Sequence, residues 1–126
     1  MRLILDTVAF IWAASDPGRL SRAAMSALRK GTAVREISVV SLTEIAIKQS
    51  RGKLTFSKAH VMTGVGDLRL RLLPYAPQHA FRLFDLPPHH ADPFDRQIIA
   101  QALVENVPVV TPDEAFNLYE GLEVIW

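Results

Sequence analysis

Hydrophobic and polar positions divide the chain into short apolar runs that alternate with longer segments of helical character. The runs that we predict as strands are residues 2–5, 37–40, 68–73, 107–111 and 122–126. The segments that we predict as helices are residues 7–14, 21–30, 42–50, 57–63, 77–84, 93–105 and 113–119. This alternation is typical of an α/β fold with a mostly parallel sheet, and we expect one domain over residues 1–126.

The composition agrees with a folded domain and narrows its chemistry. Of the 126 residues, 49% are hydrophobic and 21% are charged, which excludes a disordered chain. The absence of cysteine excludes a disulfide scaffold, a thiolate zinc site and a cysteine nucleophile. The apolar stretch at residues 7–15 is too short to span a membrane, and Asp6 interrupts the run that a signal peptide needs. We therefore expect a cytoplasmic protein with no membrane partner.

Charged residues are unevenly distributed, although the net charge is only +1. Residues 19–71 carry 11 Lys and Arg against 3 Asp and Glu, whereas the rest of the chain carries 3 Arg against 10 Asp and Glu. This separation favours a basic surface for a polyanion and an acidic site for a cation. A solvated helical face also explains the basic stretch, so both interpretations stay open.

Acidic residues occur where the predicted strands end. Asp6 follows the first strand, Glu44 lies one turn into the helix after the second, and Asp113 follows the fourth. Asp92 and Asp95 stand at the start of the helix predicted before that fourth strand. Sites in parallel α/β sheets form beyond the carboxyl ends of the strands, so we expect these carboxylates to converge.

Converging carboxylates repel one another unless protons, basic side chains or a cation neutralise them. The sequence offers only Lys48 and Arg96 near these acids, so a divalent ion is the simplest solution. Oxygen ligands favour Mg²⁺ or Mn²⁺ over zinc. Such ions activate water and stabilise the charge of a phosphodiester displacement, and we predict one or two of them.

Each acid also has a structural explanation. Three of them stand where a helix N-cap is favoured: Asp6, Asp92 and Asp113. Glu44 and Lys48 have the spacing of an ordinary i,i+4 helix pair. We expect Asp92 to be a cap, because Pro93 fixes the start of its helix, and Asp95 to be the better metal ligand.

Five short stretches of the sequence lie between residues 5 and 116, so together they span nearly the whole chain. They are LDT at 5–7, SLTEIAIK at 41–48, RGKL at 51–54, HHADPFDRQIIAQAL at 89–103 and VVTPDEAF at 109–116. In content and order they resemble the PIN-domain ribonucleases and, more narrowly, the VapC-like toxins of prokaryotic toxin–antitoxin pairs. The resemblance implies a three-layer α/β/α sandwich with a mostly parallel central sheet. It also implies a Mg²⁺- or Mn²⁺-dependent endoribonuclease.

The resemblance also implies roles for single residues. The metal-holding and catalytic acids of the family fall on four positions: Asp6, Glu44, Asp95 and Asp113. Asp92 is a secondary candidate for the metal. Hydroxyl groups beside the acidic pocket fall on Thr7, Ser41 and Thr111. His89 and His90, on the loop before Asp92, are expected to be structural, since this chemistry requires no catalytic histidine.

Three partners are expected. We predict that basic side chains guide an RNA backbone towards the acids, and the candidates are Lys48, Arg51, Lys53 and Arg96. The resemblance implies a small antitoxin that covers the acidic pocket with a cation, and also a homodimer. Apolar side chains of the first two helices are candidates for either protein interface, namely Ile11, Trp12 and Met25.

Two other functions remain open on the sequence alone. A PIN-domain nuclease that processes RNA without an antitoxin shares the same chemistry. A receiver-type phosphoacceptor domain has a similar size and also has acids at strand ends. That class needs an acidic pair after the first strand and a lysine near residues 111–113, and this sequence has neither.

Overall fold

A computed structural model describes residues 1–126 and shows a five-stranded sheet between two layers of helices. The strands are β1 (Arg2–Leu5), β2 (Val34–Ser38), β3 (Arg71–Leu73), β4 (Val109–Val110) and β5 (Val124–Ile125). The α-helices are α1 (Thr7–Ser15), α2 (Arg22–Arg29), α3 (Val39–Ser50), α4 (Lys58–Asp67), α5 (Pro77–Arg82) and α6 (Pro93–Glu105). Three short 3₁₀ helices lie at Pro17–Arg19, Leu83–Asp85 and Glu114–Leu118.

The sheet is parallel throughout, in the order β3-β2-β1-β4-β5. The chain builds one half of the sheet from β1 to β3 and then returns to the other side of β1 to add β4 and β5. Ile4 of β1 lies beside Val109 of β4, and Leu5 lies beside Val110. The reversal of strand order leaves a crevice at the carboxyl ends of β1 and β4, where sites form in this class of sheet.

Side chains that alternate along β1 contribute to two hydrophobic cores. Leu3 and Leu5 pack with side chains of α1 and α2 on one face of the sheet, whereas Ile4 packs with α6 on the other. Gly64 lets α4 approach α1 closely, because a Cβ there would lie 3.0 Å from the Cβ of Ala14. The two cores make a three-layer α/β/α sandwich, which confirms the predicted fold class.

The helices are short for a chain of this size. The longest, α6, has 13 residues. None of them combines the length and the apolar character needed to cross a lipid bilayer.

The predicted second strand is wrong at both ends, since β2 begins at Val34, three residues before the predicted start, and also ends early. Strand β2 stops at Ser38 and α3 begins at Val39, whereas the sequence suggested a strand over residues 37–40. The β-branched pair Val39 and Val40 favours a strand, but the hydroxyl of Ser38 accepts the amide of Val40 at 3.0 Å and caps the helix. The helix that carries Ser41 and Glu44 therefore begins three residues earlier than predicted.

Other boundaries also differ from the predictions. Helix α4 continues to Asp67, and the third strand is confined to Arg71–Leu73, because Arg69 reverses the chain with a φ of 52°. The last two strands contain only two residues each. The helix predicted over 113–119 is a 3₁₀ helix at Glu114–Leu118.

Candidate metal centre

The first acid lies in the crevice between β1 and β4. Asp6 directly follows β1 and caps α1, because its Oδ1 accepts the amide of Ala9 at 2.8 Å. Its Oδ2 accepts the hydroxyl of Thr111, from the segment after β4, at 2.5 Å. The structural and the functional interpretations of Asp6 are compatible, since one buried carboxylate caps a helix and faces the crevice.

Helix α3 brings Ser41 and Glu44 to the same place. They are three residues apart and therefore face one side of the helix, and both are buried. The hydroxyl of Thr7 lies 2.6 Å from Glu44 Oε1 and 2.8 Å from Ser41 Oγ. The second oxygen of Glu44 binds the ammonium of Lys48 at 2.5 Å, so the predicted i,i+4 pair is present. Both oxygens of Glu44 are thus already hydrogen-bonded.

The start of α6 supplies Asp92 and Asp95. Asp92 is the N-cap, as predicted, because its Oδ1 accepts the amides of Phe94 at 2.8 Å and Asp95 at 3.1 Å. Asp95 lies in the first turn of the helix, and its carboxylate has no hydrogen bond to the protein. Asp95 is therefore the acid whose charge is left without a protein donor.

The segment after β4 supplies Asp113, which begins the last 3₁₀ helix. Its Oδ1 accepts the amide of Ala115 at 3.0 Å, and its own amide donates to Thr111 Oγ1 at 3.0 Å. Because Thr111 also donates to Asp6, one hydroxyl connects the acid after β1 with the acid after β4. The side chain of Asp113 is 41% exposed, so this edge of the site is open to solvent.

His90 is a site residue that the sequence did not indicate. Its Nε2 lies 3.1 Å from Asp113 Oδ2, and its Nδ1 lies 3.1 Å from the hydroxyl of Tyr119. The ring stacks on Tyr119 and packs edge-on against Phe116. The expectation of a packing role for His90 is incomplete. The partners of His90 lie 23 and 29 positions away, so no local sequence pattern indicates these contacts.

The electrostatics show that the acids do converge. Burial, and after it the charges of the other acids, raise the pKa of Asp95 to about 7; those acids are Asp92, Asp6, Glu44 and Asp113. Burial also raises the pKa of Asp6 to about 6, against the opposing effect of the hydrogen bonds from Thr111 and Ala9. The hydrogen bond to Glu44 raises the pKa of Lys48 above its ordinary value.

These features fit a divalent cation. A half-buried carboxylate without a donor, surrounded by like charges, is stabilised by a positive ion more than by water. Donor atoms of His90, Asp95 and Asp113 lie within 4.8 Å of one another, as the ligands of one ion must. Asp6 and Glu44 line the same pocket, but in this structure their oxygens bind protein donors.

The four basic residues predicted to guide RNA lie in different environments. Lys48 is paired with Glu44. The guanidinium of Arg96 donates to the carbonyls of Pro87 at 3.0 Å and Leu86 at 3.2 Å, so it holds the loop before His90. Arg51 and Lys53 lie exposed on the turn that follows α3.

Part of the basic stretch is structural. The guanidinium of Arg35 donates to the carbonyls of Leu28 and Leu68, at 2.7 and 3.0 Å, and ties the ends of α2 and α4 to the sheet. Arg71 lies 3.8 Å from the buried carboxylate of Glu36. The excess of positive charge along residues 19–71 is therefore not all available to a polyanion.

The candidate interface residues of the first two helices are only partly exposed. Ile11 packs against the first hydrophobic core. Trp12 lies under the guanidinium of Arg19, 4.2 Å from its ring centroid, and beside Trp126. The most exposed large apolar side chains lie instead on the opposite layer, where Phe81 and Phe84 are 71% and 85% exposed.

Solved structures share this fold. A chain of the VapBC2 complex from Rickettsia felis, bound to promoter DNA, matches with a TM-score of 0.74 and 19% identity, over 98% of this chain and 97% of that one. A chain of DNA-bound VapBC from Salmonella typhimurium matches with a TM-score of 0.72 and 19% identity, over 98% of this chain and 96% of that one. A chain of VapBC-5 from Mycobacterium tuberculosis matches with a TM-score of 0.62 and 18% identity, over 98% of this chain and 97% of that one.

No curated protein matches this sequence significantly. The model of the PIN domain matches residues 3–122, which begin within β1, extend beyond β4 and include every acid of the crevice. The parallel sheet and the acids at its carboxyl edge agree with this match. Because the match covers nearly the full length, the chain belongs to the PIN domain family.

Proposed function

We propose that this protein is a metal-dependent endoribonuclease and the toxin of a toxin–antitoxin pair. The observation that carries the proposal is the half-buried carboxylate of Asp95, which has no protein donor and lies among the charges of Asp6, Glu44 and Asp113. Such a cluster is costly without a cation, and the PIN family match gives it a nuclease context. The family match offers no support for the receiver-type alternative.

The donor set suits Mg²⁺ or Mn²⁺, because the pocket offers mainly carboxylate oxygens and contains no thiolate. When bound, one or two such ions supply an activated water and offset the negative charge that develops on a phosphodiester. Asp95 and Asp113 are the acids best placed to hold an ion, with Asp6 and Glu44 behind them. Asp92 contributes by fixing the start of α6 beneath Asp95.

Three hydroxyl groups fix the orientation of the acids. The hydroxyl of Thr7 lies 2.8 Å from Ser41 Oγ and donates to Glu44 Oε1 at 2.6 Å. Thr111 donates to Asp6 and receives the amide of Asp113. Because all three hydroxyls are buried, the carboxylates are held in place before a substrate binds, and little reorganisation is needed.

The proposed route of RNA passes the turn after α3. Arg51 and Lys53 lie exposed just beyond the helix that carries Glu44, and they suit the phosphate backbone. Lys48 sits between this turn and the acids and binds Glu44. The role of Arg96 is indirect in this proposal, because its guanidinium is used to hold the loop at residues 86–87.

RNA cleavage by the purified protein tests the proposal. We expect cleavage with Mg²⁺ or Mn²⁺, loss of cleavage with EDTA, and a loss of at least about 100-fold in Asp6→Asn and Asp95→Asn. Asp85→Asn is the matched control, because Asp85 is an exposed aspartate that begins no α-helix and makes no ion pair. Cleavage that survives EDTA, or full activity in Asp95→Asn, contradicts the metal mechanism.

Protein partners follow from the same proposal. The similar structures are VapBC complexes, which supports a small antitoxin for this chain and a site in the prokaryotic cytoplasm. An arginine of the antitoxin, placed among the acids, would neutralise them as a metal ion does. We expect growth arrest when the chain is expressed alone, no arrest with Asp95→Asn, and relief when a neighbouring antitoxin gene is co-expressed. Arrest by Asp95→Asn equal to that of the wild type argues against a nuclease toxin.

A homodimer is also part of the proposal. Phe81 and Phe84 stack with their ring centroids 6.4 Å apart, on the outer side of the layer formed by α5 and α6. Two aromatic rings left in water on one surface are typical of a protein interface. The α5 surface is therefore the best candidate for the contact between two copies.

A further inference from the structure

The imidazole of His90 is held firmly against the acids, although His90 is not among the residues expected to bind the metal. Its side chain is only 8% exposed. Tyr119 stacks on one face of the ring, at 5.6 Å between centroids, and Phe116 packs edge-on at 5.2 Å. The loop that carries His90 is fixed in turn by the guanidinium of Arg96. An imidazole with so few alternative positions has a defined direction for its ring nitrogens.

That direction places Nε2 among the metal-binding candidates. Nε2 lies 3.1 Å from Asp113 Oδ2, and the donor atoms of His90, Asp95 and Asp113 all lie within 4.8 Å of one another. Ligands about 2.1 Å from an octahedral ion lie about 3 Å apart when adjacent and about 4.2 Å apart when opposite. The spacing of Nε2 and Oδ2 therefore suits two adjacent ligands of one ion.

The other ring nitrogen has the partner that a metal-bound histidine needs. Nδ1 lies 3.1 Å from the hydroxyl of Tyr119, which accepts a hydrogen bond from Nδ1–H in the tautomer whose Nε2 carries no proton. Histidines that bind metals commonly donate their second ring N–H in this way, because that hydrogen bond fixes the tautomer and the ring. Tyr119 is itself buried, with 3% of its surface exposed.

We propose that His90 is a nitrogen ligand of the metal ion, and that it makes the centre select Mn²⁺ and related transition-metal ions over Mg²⁺. This inference rests on the proposed function, since it takes the carboxylate pocket as the metal site. Imidazole binds first-row transition metals well, whereas Mg²⁺ strongly prefers oxygen. A pocket of carboxylates alone would give no such preference. Tyr119 acts as the positioning residue for His90.

Electron spin echo spectroscopy of bound Mn²⁺ tests this assignment directly, in full-length protein labelled with ¹⁵N-histidine. We expect nitrogen coupling to Mn²⁺ in the wild type, no coupling in His90→Gln, and unchanged coupling in His89→Gln. His89 is the matched control, because it is exposed and adjacent and has no contact with the acids; its ring touches only Tyr119, edge-on, with the centroids 4.9 Å apart. Absence of coupling in the wild type, or its persistence in His90→Gln, overturns the proposal.

Affinity measurements give a second readout. In His90→Gln we expect the affinity for Mn²⁺ to fall about tenfold and that for Mg²⁺ to fall less than about threefold. Tyr119→Phe keeps the stacked ring and removes only the hydroxyl, so a smaller loss of Mn²⁺ affinity, with nitrogen coupling retained, is expected from it. Equal losses of affinity for both ions in His90→Gln would contradict selection by the imidazole.

Asp95→Asn separates this inference from the function on which it rests. If Asp95→Asn loses Mn²⁺ binding while the wild type shows no nitrogen coupling, the carboxylate site stands and only the role of His90 is refuted. If Asp95→Asn binds Mn²⁺ like the wild type, the carboxylate site itself is wrong, and the ligand role of His90 fails with it. Circular dichroism at the measurement temperature shows that each variant is folded.

Discussion

At the scale of single residues, Asp95 bears most of the electrostatic cost of the site. Every other acid in the crevice raises the pKa of its carboxyl, and no protein donor offsets them. Glu44 differs, because Thr7 and Lys48 bind its two oxygens. The metal-free protein therefore keeps one charge at the centre of the pocket that only a proton or a cation relieves.

This cost predicts that Asp95→Asn stabilises the metal-free protein. The pKa of Asp95 is about 7 in the folded protein, against 3.8 ordinarily, so between these values the folded state holds a proton that the unfolded state lacks. Stability therefore falls as the pH rises from about 4 to about 7, and the full cost is present above pH 7. At pH 8 in EDTA we expect Asp95→Asn to raise the free energy of unfolding by about 2 kcal/mol.

Thermal unfolding at several pH values checks this expectation. The gain in Asp95→Asn should be largest at pH 8 and should vanish near pH 4, where the aspartate is protonated in the folded state. Asp85→Asn, at an exposed position, should leave the melting temperature within about a degree at either pH. A variant that is less stable than the wild type at pH 8 would mean that the acids do not strain the fold.

At the scale of elements, the start of α6 shows how one residue serves structure and site together. Asp92 caps the helix through the amides of Phe94 and Asp95, so it sets the position of the acid that follows. We expect Asp92→Ala to cost about 1 kcal/mol of stability, because two amides lose their acceptor. Asp92→Asn keeps an acceptor oxygen and should lose little.

Cleavage rates of these two variants decide whether Asp92 also binds the metal. If it is only a cap, Asp92→Asn should keep nearly full activity and Mn²⁺ affinity, whereas Asp92→Ala should lose activity in proportion to the disturbed helix start. A fall of more than about tenfold in the Mn²⁺ affinity of Asp92→Asn would instead make Asp92 a ligand, directly or through water.

The comparison of sequence and structure is clearest at this same scale. The start of α6 was predictable, because Asp92 followed by Pro93 is a strong local signal. The start of α3 was not, since the Ser38 cap competes with two β-branched residues that favour a strand. The acids at the strand ends could be grouped from topology alone. The pairing of His90 with Asp113 and Tyr119 could not, because it depends on tertiary packing.

At the scale of the whole molecule, the uneven charge along the chain predicts how the proposed RNA substrate would bind. Arg35 is used to hold the ends of α2 and α4, and Arg71 lies beside Glu36, whereas Arg51 and Lys53 are exposed on the turn after the helix that carries Glu44. We expect the double variant Arg51→Ala and Lys53→Ala to weaken RNA binding and to reduce the slope of log affinity against log salt by about one to two. Filter binding at several salt concentrations, with Asp95→Asn as the background, measures this effect.

The matched control for that experiment is a pair of exposed bases elsewhere in the basic stretch. Arg22 is the first residue of α2 and Lys30 follows its last, and neither forms an ion pair. Changing them to Ala should alter the salt slope little. An unchanged slope in the Arg51 and Lys53 variant, or an equal change in both pairs, would refute a specific RNA route past α3.

The exposed aromatic pair formed by Phe81 of α5 and Phe84 of the 3₁₀ helix that follows it predicts the oligomeric state. Phe84 is 85% exposed, so Phe84→Ser removes apolar surface from the proposed interface. We expect the dissociation constant of the homodimer to rise at least about tenfold. Met62→Ser, on α4 in the opposite layer, is the control, because Met62 is 64% exposed but lies on the other face of the sheet. Sedimentation equilibrium measures both constants, and equal values would exclude the α5 surface.

The hydrogen bond between Asp6 and Thr111 has a consequence for protein synthesis. These residues are 105 positions apart, and β1 lies in the middle of the sheet beside β4, which the ribosome makes long after β1. Until β4 has emerged from the exit tunnel, Asp6 lacks its hydroxyl partner and Asp113 is not yet in place. A nascent chain therefore has no assembled centre before residues 109–113 have left the ribosome. The order of synthesis separates the appearance of the first acid from the assembly of the whole cluster.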